Sequence, residues 1–152
     1  MSLKAQSVIL KSFQDLDKEE LYKFLQLRIE VFVVEQNCIY QDIDNKDQKA
    51  YHILGSVEDS LLAYARIFDT GDYFDIPSIG RIVVHEKARL FSYGHQLVDH
   101  SIQHVIENFD NKNILISAQT YLIKFYNTHG FKQQGKEYLE DGIPHIKMLR
   151  TS

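Results

Sequence analysis

Two stretches of this sequence gather residue types that handle anions and protons. The first runs Ile79-Gly80-Arg81-Ile82-Val83-Val84-His85 and continues through Lys87, Arg89, Leu90, Ser92, Tyr93, Gly94 and His95. A β-branched run feeding a basic loop and then a helix start makes a good anion site. The first amides of a helix lack internal acceptors and can point at a phosphate. Gly94 lets a backbone come close, and Arg89 adds a fixed positive charge. An ordinary strand-to-helix connection with Ser92 as N-cap uses the same residues, and neither a GxGxxG pattern nor a Walker lysine is present. The second stretch runs from Ala118-Gln119 through Phe125-Tyr126 to His129-Gly130-Phe131. It carries a phenol, which can donate a proton without being ionised at rest. His100 and His104 stand four apart on one predicted helix face, but no third ligand accompanies them, so no metal is expected.

The elements that must position these residues follow from periodicity. Ala5 to Phe13 alternates loosely and predicts a strand. Asp17, with Glu20 three residues on, predicts a helix start. Apolar residues such as Leu21, Phe24, Leu25, Val31 and Phe32 then recur at helical spacing from Glu19 to Val34. Gln36 to Lys49 is polar and acidic, with Asp42, Asp44 and Asp47, and predicts a loop over the surface or a cleft. Ala50–Val57 and Ser60–Phe68 predict a hairpin turning at Glu58-Asp59. Asp69 to Asp75 is rich in turn residues, and Ile79–His85 reads as a buried strand. Ser92 to Phe109 is the clearest helix, with Leu97, Val98, Ile102, Val105 and Ile106 in one stripe. Asn113 to Ala118 predicts a strand, and Tyr121 to Asn127 a short helix stopped near Gly130. Lys132–Leu139 and Pro144–Leu149 predict two last strands around an Asp141-Gly142 turn. The order β-α-β-β-β-α-β-α-β-β predicts an α/β protein with a mixed (α+β-like) sheet and helices on its faces.

Composition bounds the function. The chain of 152 residues fits one domain, 1–152, with 1–4 as a flexible N-terminus. Hydrophobic residues make up 44% and charged residues 25%, which excludes a disordered tail or a collagenous repeat. A formal charge of −4 argues against nucleic-acid binding, which runs on clustered Lys and Arg. The single cysteine, Cys38, cannot form an internal disulfide and suggests a reducing compartment. No run reaches the ~18 apolar residues that span a bilayer, and Met1 to Lys4 lacks the apolar core of a signal peptide. A cytoplasmic protein with no membrane partner is expected.

The two chemistry-bearing stretches together resemble the Gcn5-related N-acetyltransferase (GNAT) superfamily. That family places a Gln/Arg-x-x-Gly-x-Gly/Ala loop after a strand, and this chain has Arg89-Leu90-Phe91-Ser92-Tyr93-Gly94, with Ser92 in place of the first glycine. The family's later helix carries Phe-Tyr and ends in Gly-Phe, matched by Phe125-Tyr126 and Gly130-Phe131. The resemblance narrows to the ElaA-like branch through Arg28, Val31-Phe32-Val33-Val34-Glu35-Gln36, Cys38, Tyr40 and the three aspartates 42, 44 and 47. Ala63-Tyr64-Ala65-Arg66, Ile79-Gly80-Arg81, Ala118-Gln119 and Glu140-Asp141-Gly142-Ile143-Pro144-His145 continue it. The resemblance implies a central twisted mixed sheet of about seven strands.

It further implies acetyl-CoA as co-substrate and transfer of its acetyl group to an amine by direct attack in a ternary complex, without a metal. Backbone amides of the Arg89–Gly94 loop would hold the pyrophosphate, with His95, Gln119 and Phe125 beside the cofactor. Main-chain groups of Ile82, Val83 and Val84 would polarise the thioester carbonyl. Tyr126 matches the family's tyrosine that protonates the departing thiolate; a tyrosine that only packs on the core is the alternative. The attacking amine must lose a proton, since a lysine-like amine with a pKa of about 10.4 is mostly charged at pH 7. Glu35, His52, Glu140, Asp141 and His145 are the candidate bases, and His52 in a β run also suits a hydrogen-bonded structural role. Arg28 and Arg66 are able to hold an acidic acceptor bidentately or to pair with Asp42, Asp44 or Asp47. His145 is expected to face the acceptor. The acceptor is a small-molecule or peptide amine, and the family's frequent dimers make a homodimer an expectation. Ser92 also allows a catalytically inactive acyl-CoA-binding or regulatory module with the same fold.

Overall fold

The computed structural model describes residues 6–152; the expected flexible stretch 1–4 lies outside the described residues. Seven strands form one mixed sheet in the order β1-β2-β3-β4-β5-β7-β6. They are β1 (Gln6–Ser12), β2 (Tyr51–Val57), β3 (Ser60–Phe68), β4 (Ser78–Val84), β5 (Ile114–Gln119), β6 (Lys132–Glu140) and β7 (Ile143–Arg150), and the helices are α1 (Lys18–Ile29), α2 (Tyr93–Asn108) and α3 (Ile123–Asn127). The predicted element order is the observed one.

Strand alternation sorts the two faces. Leu54, Tyr64 and Val83 point one way and pack on Phe24, Leu27 and Val31 of the α1 region. Their neighbours Ile53, Ala63, Ala65 and Ile79 point the other way, into a larger core with Leu97, Val98, Ile102 and Val105 of α2. Asp17 starts α1 through a capping box: its carboxylate accepts from the Glu20 amide while the Glu20 side chain accepts from the Asp17 amide. The helical spacing through Val34 is real, but the geometry changes. After Ile29 the coil widens into a π-turn over Glu30–Glu35, so α1 is shorter than its apolar pattern. Ser101, the polar member of the α2 stripe, satisfies its hydroxyl on the Leu97 carbonyl at 2.8 Å. Lys112 caps the far end of α2 by donating to the carbonyls of Ile106 and Phe109. Past α3, Gly130 takes φ 90°, and the Phe131 amide reaches back to the Tyr126 carbonyl, a left-handed helix stop.

Beside a bulge at Leu62 of β3, opposite Gly55 and Ser56, three irregularities shape the sheet. In β4, Arg81 and Ile82 stand opposite the single Ala65, and Arg81 adopts φ 49°, a bulge. Between β4 and β5, the one parallel pair among the described residues, register survives only at Ser78↔Leu115, so the two strands splay apart beyond it. In β6, register slips between Gln134 and Tyr138 around Gly135 at φ 71°.

Candidate active site

A cleft opens where β4 and β5 part. Ser78 to Ile82 form one wall, and Ile116, Ser117 and Gln119 the other. Tyr126 of α3 closes the back, and Phe68, Tyr73 and Phe74 add an aromatic side. Glu140, Asp141 and His145 rim the opposite mouth from the β6–β7 turn. That turn has Asp141 at φ 50° and Gly142 at φ 78°, the left-handed pair that a tight hairpin needs.

Tyr126 is 6% exposed, and its hydroxyl makes no hydrogen bond among the described residues. Burial, with Tyr121 adding to it, pushes the phenol well above its ordinary range. It therefore stays protonated and faces the cleft as a donor without a partner. Phe125 stands edge-on to the Tyr126 ring, and its far edge lies 3.5 Å from where a Gly94 side chain would start. A Cβ at 94 would meet Phe125 in ordinary van der Waals contact, and only a longer side chain would press on it.

The loop before α2 carries Ser92 at φ 59° and ψ 21°, with no side-chain cap bond. This left-handed turn is the conformation glycine adopts freely and serine at a cost. Leu90 is 93% exposed, while the Tyr93 side chain is buried with Val57 and Ala88. Val83 is likewise a core residue, and Ile82 and Val84 are partly buried against the α2 core. Arg89 donates Nε to the Val84 carbonyl at 3.0 Å and pairs bidentately with Glu35 at 2.7 and 2.9 Å. Glu35 is therefore an exposed ion-pair partner of the loop and not a free base.

Next to this loop lies a hydrogen-bonded set of three side chains that residue spacing does not announce. Asp99 accepts from His129 Nδ1 at 3.0 Å, and His129 Nε2 lies 2.9 Å from His95 Nδ1. With its Nδ1–H turned to Asp99, a neutral His129 accepts at Nε2, and His95 donates from Nδ1. Burial of His129 pulls its pKa down and favours that neutral form. His95 and Asp99 are four apart on α2, but the central His129 is distant in sequence and joins them only where α3 stops against α2, so spacing could not reveal the set.

Three expected site residues have their polar groups committed to protein partners. His52 is fully buried and stacked on Phe24. Its Nε2–H donates to the Asp47 carbonyl at 2.9 Å, and Tyr64 Oη donates to its Nδ1 at 2.6 Å, which leaves no lone pair for a substrate. Burial pushes it down to about 4. Arg28, 0% exposed, is consumed by Asp42 at 2.9 Å and Asp47 at 2.7 Å. Arg66 reaches the cleft wall, but three of its bonds go to Asp44 and Asp47, and its remaining Nε is sealed from solvent. Arg81 joins them by pairing with Asp42 at 2.9 Å. Both arginines proposed for the acceptor thus hold the aspartate loop instead. His145 does face the cleft, with Gln119 opposite it on β5.

The comparisons with known proteins agree with this geometry. The family pattern described as "Acetyltransferase (GNAT) domain" matches residues 13–152. The chain is 44% identical to "Protein ElaA" of Escherichia coli K12 over 138 residues, 90% of each chain. The crystal structure of Escherichia coli ElaA superposes with a TM-score of 0.89 at 40% identity, covering 95% of this chain and 99% of that one. A crystal structure of an acyl-CoA N-acyltransferase from Pseudomonas aeruginosa does so at 0.90 and 39%, with the same coverage. The likeness thus runs along nearly the whole chain, which belongs to the GNAT acetyltransferase family and, within it, to the ElaA-like branch.

Proposed function

We propose that the protein is an N-acetyltransferase that moves the acetyl group of acetyl-CoA to a primary amine by direct attack in a ternary complex. The observation that carries this reading is Tyr126: a buried, protonated phenol without a protein partner, open to the cleft at the β4–β5 split. The donor supplies an activated thioester. The loop at Ser92 and the first amides of α2 would take its pyrophosphate, since helix-start amides lack internal acceptors. The Arg89–Glu35 pair is exposed and so weak, on the order of 0–1 kcal/mol, and a phosphate can recruit Arg89 cheaply. Main-chain groups at the β4 bulge, Ile82 to Val84, would face the carbonyl oxygen as it gains negative charge. Tyr126 would give its proton to the departing sulfur. Gln119 and Phe125 would line the path of the donor, and His95 the phosphate end.

The single cysteine and the family support a cytoplasmic place of action, and no helix among the described residues is long and apolar enough to cross a membrane. The test is a calorimetric titration with acetyl-CoA, with NADH and ATP as controls, followed by assay of CoA release with amines. Micromolar binding of acetyl-CoA alone and amine-dependent release support the reading. Binding without turnover of any amine would leave a non-catalytic acyl-CoA-binding module, and no binding would remove the donor site.

A further inference from the structure

We propose that Glu140 and His145 together seat the acceptor's ammonium group and take its first proton, so that the acceptor is a cationic primary amine. This rests on the acyl-transfer reading of the cleft. His145 Nδ1 lies 2.6 Å from the Ile143 carbonyl. A carbonyl only accepts, so Nδ1 carries a hydrogen and the neutral ring keeps its lone pair on Nε2. That lone pair lies 3.3 Å from Glu140 Oε2. Two acceptors at this separation require a proton or a donor between them. A primary ammonium, with three N–H groups, can serve both at once.

The pair is held from behind. Ser117 donates to Glu140 Oε1 at 3.3 Å and is itself hydrogen-bonded to Tyr138. The Tyr138 ring stacks near His145 with centroids 6.2 Å apart. His145 is 6% exposed, while the Glu140 side chain is 43% exposed and lies at the mouth.

Charge selects the same acceptor. Arg28, Arg66 and Arg81 are matched by Asp42, Asp44 and Asp47. The other charged groups around the pair are Asp141 in the adjoining turn and Lys147 on β7, whose amine sits 3.8 Å over the Phe74 ring. Glu140 and Asp141 therefore leave the acceptor mouth acidic. Such a mouth attracts a diamine or a lysine side chain and repels a free carboxylate.

The reaction balances. The ammonium gives one proton to His145 Nε2, and the imidazolium formed pairs with Glu140. The freed nitrogen attacks the thioester carbon; the C–N bond forms and the C–S bond breaks. Tyr126 protonates the thiolate and recovers a proton from the acylated nitrogen, while His145 returns its own to solvent.

Initial rates of CoA release with 1,4-diaminobutane, lysine amide, glycine and glutamate test this. Glu140→Gln is expected to raise KM for the two cationic amines tenfold or more, with acetyl-CoA affinity within twofold of wild type. His145→Gln should cut kcat tenfold or more, again with acetyl-CoA affinity within twofold of wild type. In the unmodified protein without donor, 1,4-diaminobutane should shift the His145 ring resonances in nitrogen NMR. An unchanged amine KM in Glu140→Gln, preference for glycine or glutamate, or unmoved His145 resonances would each overturn the proposal. Failure of acetyl-CoA to bind would instead overturn the donor reading, and the NMR titration would still decide the seat.

Discussion

At the scale of single residues, Tyr126, Ser92 and His52 each turn a local geometry into a measurable effect. Tyr126→Phe removes one hydroxyl from a ring that is otherwise core. Turnover should fall at least tenfold, the lower end of the usual worth of a positioned acid, with acetyl-CoA affinity unchanged; unaltered turnover would take Tyr126 out of the mechanism. Ser92 sits at φ 59°, where a side chain costs on the order of 1 kcal/mol. Ser92→Gly relieves that cost but frees the unfolded chain by about the same amount. Its stability in urea should stay within about 1 kcal/mol of wild type, and donor binding should hold or tighten. Clear weakening would mean that the hydroxyl is itself a phosphate ligand. His52 is held neutral, with its pKa pushed down to about 4 by burial. The unfolded chain binds this proton near pH 6.5 and the folded chain does not, so stability is complete above pH 6.5 and falls as the pH drops toward 4. The loss approaches about 3 kcal/mol. Urea unfolding between pH 7.5 and 4.5 should show this slope, and His52→Gln should flatten it.

At the scale of elements, the acidic stretch 36–49 matters most. Beyond a single 3-10 turn at Asp47–Lys49, it is held by three arginines from α1, β3 and β4. Removing Arg28 leaves Asp42 and Asp47 short of a buried partner. Arg28→Met should cost about 3–5 kcal/mol in urea unfolding, while Arg28→Lys keeps the charge and loses the fork. A loss below 1 kcal/mol would mean that Arg66 and Arg81 suffice. Asp44 adds an acid dependence. Burial alone would push its carboxyl up, but bonds and charge from Arg66 hold it below the usual range. Its contribution is present above about pH 4 and is lost as the pH falls through the lowered value.

The same elements show what a sequence makes legible. The strands and α2 were readable because burial writes a period of two or 3.6 directly into residue order. The end of α1 was not, because a π-turn keeps the apolar positions and changes only the backbone. Arg28 and Arg66 were open to two readings, since a guanidinium fork suits a ligand carboxylate and an aspartate equally well. Glu140, Ser117 and Tyr138 meet through sheet register, and Asp99, His129 and His95 through helix packing, neither of which residue spacing encodes.

At the scale of the whole molecule, the split sheet is the determining feature. One rung joins the β1–β4 half to the β5–β7 half at the cleft. A donor lying in that gap would touch both halves and bind only the folded chain. At a hundredfold excess over Kd, acetyl-CoA should add about 2.7 kcal/mol, which for a chain of this size is roughly 5–10 °C in Tm. No shift at millimolar acetyl-CoA would argue that the gap is not a donor site.

The slip in β6 has a consequence for how the protein behaves among other chains. β6 is the outermost strand on its side, largely exposed, with Lys132, Lys136 and Glu137 along it and the kink at Gly135. An open strand edge is a template onto which a foreign strand can zip, and amyloid-like growth begins that way. The kink breaks the straight row of amides such a partner would need, and the charges penalise its approach. The irregularity that looks like imperfect pairing thus acts as a guard on solubility, and straightening it by deleting Gly135 would trade a tidier ladder for a stickier molecule.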